Sequence, residues 1–365
     1  MKKVAIITFH NAVNYGAILQ CYALQSFLEQ LGCSVDILDY QPLYFRKAFF
    51  DPMKPWQAYD IKSKGKAIAK CVLFNGEMRS LSRKHRELLR FMRERLHLCP
   101  METVQSNSHE YYIAGSDQIW NLELLENDTT YLLDFVQNGK KISYAASFKI
   151  SDVDEFARSA YRKFLPCFDN ISVRESDLQD YLRDSFHIEA DCVLDPTLLI
   201  GSEFWRSEVR GTPVISGKYL LLYYVNMPQQ LVEKAFEFAK ERGLRVVSLN
   251  TLRGRSDYLD YSRASIEEFL NLIANAETVF TTSFHGMAFS ILFEREFYYE
   301  VPENSYNNNM RLNDLAEKIG LKNQNLKYTN FMPIFWNRVH EKIAVQQMLS
   351  NTFLVHALNL IEGNE

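Results

Sequence analysis

The first forty residues, MKKVAIITFHNAVNYGAILQCYALQSFLEQLGCSVDILDY (1–40), hold one complete strand–helix–strand unit. Residues 4–8 form a short β-rich run, and 17–31 carry apolar residues at helical spacing until Gly32 ends the pattern. Residues 34–39 read as a second strand. A strand followed by a helix and then another strand predicts parallel pairing, with helices covering the sheet. The rhythm persists, with further strands at 111–114, 142–145, 170–173 and 191–194. Pro196, Gly201, Gly211, Pro213 and Gly217 then punctuate a connection. Beyond it the alternation restarts, with strands at 219–225, 245–249, 278–281 and 297–301. Helices at 229–242, 265–275, 286–293 and 310–319 alternate with them, and a helical pattern runs from about 343 to 361. The expected fold is α/β: two Rossmann-like domains facing a cleft, at 1–205 and 206–335, with a C-terminal helix in 336–365 packing back on them.

Composition narrows the function classes. A chain of 365 residues has room for about two domains. Its 47% hydrophobic and 24% charged residues exclude a disordered polymer. The longest apolar run, 219–225, is too short to span a bilayer. Two lysines precede a first apolar run of about five residues, which fits a first strand better than a secretory signal. The cysteines at 21, 33, 71, 99, 167 and 192 form no CxxC pair and have no zinc-ligand spacing. They are expected to be reduced thiols in a cytoplasmic protein that needs no metal.

A net charge of −4 argues against a nucleic-acid binder, yet it conceals one basic region. Residues 42–97 hold 14 Lys and Arg against 5 Asp and Glu, a local +9 that leaves −13 for the rest. This stretch is expected to be a basic helical insertion in the N-terminal domain. Tyr44, Phe45, Phe49, Phe50, Trp56 and Tyr59 precede Ile61, Ile68 and Val72, which recur at helical spacing. Basic amphipathic segments of this kind lie on anionic membrane surfaces, here the inner face of the cytoplasmic membrane. The alternative is an insertion that packs its apolar side on the domain and leaves its cations solvated.

Four segments carry polar residues where strands hand over to helices. The turn FHNAVNYG offers Asn11, Asn14, Tyr15 and Gly16 ahead of a helix, whose N-terminus suits an anion; a plain capped turn is the alternative. No GxGxxG fingerprint accompanies it. IAGSDQIWN (113–121) puts Asp117 at a strand's carboxyl end, where it would orient a sugar hydroxyl, act as a base, or cap a following helix. NISVRESD sets Arg174 directly after a strand, suited to two-pronged anion recognition or to a surface salt bridge with Glu175 or Asp177. In TVFTTSFHGMAFSILF (278–293) an apolar strand ends in Thr-Thr-Ser, and His285-Gly286 opens a helix. That junction suits anion binding and proton donation through Ser283 and His285, a purely structural histidine being the alternative.

Taken in order, NYG (14–16), LQCYAL (19–24), GSDQIWN (115–121), SVRE (172–175), LDPTLL (194–199) and TSFHG (282–286) resemble the polysaccharide pyruvyl transferase family. Residues 309–315, around Arg311, resemble its C-terminal motif. The resemblance implies a GT-B-like domain pair that moves enolpyruvate carbon from phosphoenolpyruvate onto two sugar hydroxyls. The product is a cyclic pyruvate ketal in capsular or other cell-surface polysaccharide, and phosphate leaves. It further implies His285 as acid/base, Arg174 as anion clamp and Asp117 as hydroxyl partner. Because His285 and Arg174 stand at strand ends facing the expected cleft, His285→Ala and Arg174→Ala are expected to abolish most turnover and spare the fold. Asn14, Tyr15, Gly16, Ser116, Gln118, Ser283, Gly286 and Arg311 are the implied substrate contacts. Many relatives carry an arginine where Ser283 stands, so that anion contact would pass to Arg311. Phosphoenolpyruvate is then a substrate, no cofactor is called for, and a lipid-pyrophosphate-linked sugar is a fitting acceptor beside a basic insertion. Two other functions share the architecture: a glycosyltransferase using a nucleotide sugar, and a non-catalytic sugar-binding relative.

Overall fold

The computed structural model describes residues 1–48, 51, 53–54, 61–73, 75–101, 108–225, 228, 230–301, 310–329 and 331–360. Phe49, Phe50, Trp56, Tyr59 and Asn309, singled out above, lie outside the described residues. The chain divides into two compact units: residues 1–50, 90–200 and 344–365, and residues 51–89 and 201–343. The expected insertion at 42–97 is therefore shared, its middle grouping with the second unit rather than with the N-terminal one.

The first unit is built on parallel strands β1 (Lys3–Ile7), β2 (Ser34–Asp39), β3 (Leu98–Pro100), β4 (Tyr111–Ala114) and β5 (Lys140–Ser143), in the order β3-β2-β1-β4-β5. Two short strands, β6 (Ser172–Val173) and β7 (Asp191–Cys192), pair with each other. Bridges Ile142↔Asn170 and Ala146↔Val173 join them to the β5 side. Strands buried on both faces are near-continuous apolar runs, and β1 reads KVAII with four of its five residues buried. Helix Tyr15–Gln30 is buried over most of its length, and Gly32, at φ +81°, takes the left-handed turn that releases the chain into β2. Trp120 anchors the loop side of this core: its Nε1 donates to the Tyr131 carbonyl, and the Tyr161 hydroxyl donates to the Trp120 carbonyl. The last helix, Trp336–Ala357, returns to this unit from residue 344 onward. There Ser350 Oγ accepts from Leu194 N–H at 2.9 Å, and Gln347 donates to the Leu198 carbonyl at 2.7 Å.

The second unit repeats the plan with β8 (Tyr219–Tyr223), β9 (Arg245–Ser248), β10 (Leu259–Asp260), β11 (Thr278–Thr281) and β12 (Glu296–Tyr299), all parallel, in the order β10-β9-β8-β11-β12. Helix Ile266–Ala274 starts with a complete capping box between Ser265 and Glu268. Phe238, Phe280 and Tyr298 fill one face of the sheet, with ring centroids 5.3 to 5.6 Å apart. Trp205, fully buried, packs edge-on against Phe289 on helix Phe284–Leu292.

Phe280 shows no exposed surface, so Phe280→Ala opens a cavity within this aromatic group. Its expected cost is about 3–5 kcal/mol, measured by denaturant unfolding. A loss below about 1 kcal/mol, the scale of a volume-conserving swap, would mean that the cluster does not carry the second unit's core.

Candidate functional site

In open parallel sheets ligands gather beyond the carboxyl ends of the strands, where the strand order reverses. The reversal lies between β1 and β4 in the first unit and between β8 and β11 in the second. Residues 8–16 and 115–118 follow the first pair, while 224–225 and 282–286 follow the second.

At the first edge, helix Tyr15–Gln30 begins beyond β1. Asn14 caps it, with Oδ1 accepting from the Gly16 N–H at 2.9 Å, and Tyr15 and Gly16 are buried. Gln20 Nε2 donates to Thr8 Oγ1 at 2.9 Å, and that hydroxyl donates to the Ser116 carbonyl at 2.8 Å, tying β1 to β4. The Ser116 hydroxyl donates onward to Asp195 Oδ2 at 3.0 Å.

Asp195 also receives Arg174, the centre of the cluster. This guanidinium is only 4% exposed, and each of its nitrogens faces a carboxylate. Nε donates to Glu175 at 3.0 Å, Nη1 to Asp195 at 2.9 Å, and Nη2 lies 3.7 Å from Asp117. Burial disfavours the cation, but Glu175, Asp195 and Asp117 hold its pKa above the ordinary value. Ser147 supports Glu175 at 3.1 Å, and Thr197 donates to Asp195 through both N–H and hydroxyl, at 3.0 and 2.7 Å. Arg174 is thus no surface salt bridge, and its truncation would not spare the fold, because it would strand buried carboxylates. With all four groups ionised the cluster is formally anionic, which disfavours a further anion at Arg174.

Asp117 adopts φ +79° and Ala145 φ +51°, and Asp117 bridges to the adjacent Ala146. Left-handed backbone costs a residue with a side chain roughly 1–2 kcal/mol, so two such residues at adjoining strand ends mark stored strain. Turns rather than a regular helix follow Asp117, so the helix-capping alternative does not apply. Its Oδ1 accepts from the N–H of Gln118, itself buried.

Two members of this edge were missed in the sequence. Glu175 was named there as a salt-bridge partner of Arg174, and the pair forms, buried rather than on the surface. Asp195 stood inside a quoted motif, but only the parallel topology sets it against Arg174. The other, His10, is fully buried, with Nδ1 3.1 Å from the Thr8 carbonyl and Nε2 3.1 Å from Asp39. The hydrogen bond from His10 holds the Asp39 carboxyl below its usual range.

The second edge is the β11 junction. Ser283 caps helix Phe284–Leu292, its Oγ accepting from the Gly286 N–H at 3.2 Å, while Thr281 Oγ1 accepts from the Ser283 N–H at 2.9 Å. Gly286 is required here. A Cβ would stand 2.3 Å from Thr281 Oγ1 and 3.1 Å from the Tyr223 ring. Burial pushes the Tyr223 phenol up to about 12, against a hydrogen bond with Ser283 that lowers it. His285, 6% exposed, lies in the first turn with its ring edge-on to Phe284 at 5.3 Å. Arg311 lies half-buried in helix Met310–Ile319 of the same unit. The structure therefore gathers Asn14, Tyr15, Gly16, Ser116, Asp117, Gln118 and Arg174 on one unit, and Ser283, His285, Gly286 and Arg311 on the other. Among the described residues no group of three or more His, Cys, Asp or Glu is disposed to hold a metal ion.

Comparison with known proteins bears on both levels. The structure is similar to the UDP-N-acetylglucosamine 2-epimerase from Rickettsia bellii, with TM-score 0.50 and 10% identity over 99% of this chain and 98% of that one. It is also similar to the S. aureus MnaA–UDP co-structure, with TM-score 0.49 and 10% identity over 100% and 99%. At such identities the Rickettsia likeness establishes a GT-B-type fold and nothing of the chemistry. No curated protein matches the sequence. The sequence profile for polysaccharide pyruvyl transferase matches residues 14–299, spanning both sheet edges just described. A match over that much of the chain places this protein in the polysaccharide pyruvyl transferase family.

Proposed function

We propose that this chain transfers the enolpyruvyl group of phosphoenolpyruvate onto two hydroxyls of a sugar, in the synthesis of capsular or other cell-surface polysaccharide. Family membership supports a transferase. The finer reading rests on one observation, the opposite electrostatic character of the two sheet edges. One gathers three carboxylates around a single guanidinium. The other presents a helix N-terminus with a histidine in its first turn. A carboxylate-rich edge suits neutral hydroxyls and a developing cation, whereas a positive helix terminus suits an anionic donor.

In this reading protonated His285 gives its proton to the methylene carbon of phosphoenolpyruvate, leaving an oxocarbenium-like C2. The first sugar hydroxyl bonds to C2 while Asp117 orients it and takes its proton. The second hydroxyl then bonds to C2 as the C2–O bond to phosphate breaks, and phosphate departs with the electron pair. His285 recovers its proton from that second hydroxyl, and Asp117 passes its own to the departing phosphate. The donor's anionic groups are met by the helix terminus and by Arg311, since Ser283 stands where many relatives carry arginine. Arg174 is a positioning residue that holds Asp117, rather than a clamp on the donor. The chemistry is neither redox nor metal-dependent, and phosphoenolpyruvate is consumed as a substrate.

Incubation with phosphoenolpyruvate and a panel of galactosides and N-acetylhexosamines, followed by mass spectrometry, tests this directly. The expected result is one ketal-bearing acceptor for each phosphate released, unchanged by EDTA. Transfer from a nucleotide sugar instead, abolished by EDTA and restored by magnesium, would replace this reading with a glycosyltransferase. Sugar binding with no turnover would replace it with a non-catalytic relative. His285→Gln, close in size to the buried ring, is expected to lower turnover about 10²–10⁴-fold at an unchanged melting temperature. Wild-type turnover in that variant would remove His285 from the chemistry.

A further inference from the structure

The helix Asn75–Arg95 exposes Arg79, Arg83, Arg86, Arg90 and Arg93. Their spacing of alternating four and three residues puts all five on one helical face, in a row about 21 Å long. The opposite face carries Met78, Leu88, Phe91 and Met92, all buried. Arg86 is steadied by Ser82 Oγ at 2.8 Å, and Arg90 pairs with Glu94 at 3.0 Å in an exposed contact worth little.

The preceding helix, Ile61–Leu73, has the reverse arrangement. Gly65, Ile68, Ala69 and Val72 share one exposed face, with Ile68 52% and Val72 74% exposed, while Ala67 is buried. Lys66 is exposed beside them, and Leu81, at the start of the arginine helix, is 41% exposed. The alternative of an insertion that packs this apolar stripe inward is therefore not what Ile68 and Val72 do. A solvated charged face has no need of such a stripe, and a row of this length exceeds what one small anion requires.

We infer that these two helices dock the protein on a membrane surface rich in anionic lipid. The arginine row meets headgroup phosphates, to which guanidinium groups bind in two-pronged fashion. Ile68 and Val72 enter the boundary between headgroups and acyl chains. An extended sheet of phosphates over an apolar layer is the partner that satisfies both features together. Nucleic acid would satisfy the cations alone, and a second copy of this chain the apolar stripe alone. None of these residues is among those assigned to the proposed reaction, so the lipid-binding test and the turnover test fail independently.

Vesicle co-sedimentation of the full chain decides it. The protein is expected to pellet with phosphatidylcholine vesicles containing phosphatidylglycerol and to stay in solution with phosphatidylcholine alone. Binding should weaken as salt rises. The combined substitutions Arg79→Glu, Arg83→Glu, Arg86→Glu and Arg93→Glu should cut partitioning at least about tenfold. The pair Ile68→Ser and Val72→Ser should weaken it at unchanged charge, and circular dichroism should report an intact fold in both variants. Equal recovery in the supernatant with and without anionic vesicles would overturn the inference. So would binding to duplex DNA with vesicles left unbound, or a dimer that Val72→Ser dissociates in a chain that ignores lipid.

Discussion

A guanidinium removed from water has to be paired, and in this protein Arg174 is paired from three directions at once. Its partners come from the ends of different strands: Asp117 beyond β4, Glu175 beyond β6 and Asp195 beyond β7. Ser116 and Thr8 carry the same network back to β1. The carboxyl edge of the first sheet is thereby cross-linked by charge-assisted hydrogen bonds, which are shorter and stronger than neutral ones. Such a network fixes positions more than it adds stability, because desolvation offsets much of the Coulomb attraction. Beside it, 3.7 Å from the guanidinium, stands Asp117, whose left-handed backbone persists only where its surroundings over-determine it.

The second unit reaches the same topology and ends it differently. Its β11 junction is held by close packing and by the hydrogen bonds that Thr281 and Ser283 accept. Gly286 lets the helix approach Thr281 and Tyr223 more closely than any side chain permits, which sets His285 in the first turn. Repeating one sheet order while changing the chemistry at its edge gives one unit an anionic cluster and the other a helix terminus.

Much of this was legible in the sequence, for a physical reason. Strands buried on both faces must be apolar throughout, so the central strands announced themselves; the segments 34–39, 111–114 and 278–281 coincide with β2, β4 and β11. The edge strands β3 and β10 went unseen. They are three and two residues long, half-buried or exposed, and carry neither alternation nor an apolar run. Arg174 and Asp117 were visible as polar residues at strand ends, but their relation was not. Asp195 lies 21 residues beyond Arg174, and only parallel pairing sets the two side by side. His10 went unremarked for the same reason, since its partner Asp39 ends the neighbouring strand. The exposed stripe of Ile68 and Val72 was ambiguous as a pattern, because periodicity identifies an apolar face without saying what covers it.

The dependence of the first sheet edge on Arg174 is measured most directly by a double-mutant cycle. Arg174→Met and Asp195→Asn, alone and combined, would be unfolded in urea, together with the parent chain. The two losses are expected to be strongly non-additive, with a coupling energy of about 1–3 kcal/mol, because either change alone leaves the other group buried without its partner. Losses that add to within about 0.5 kcal/mol would mean that the pair is not coupled and that the edge is held by something else.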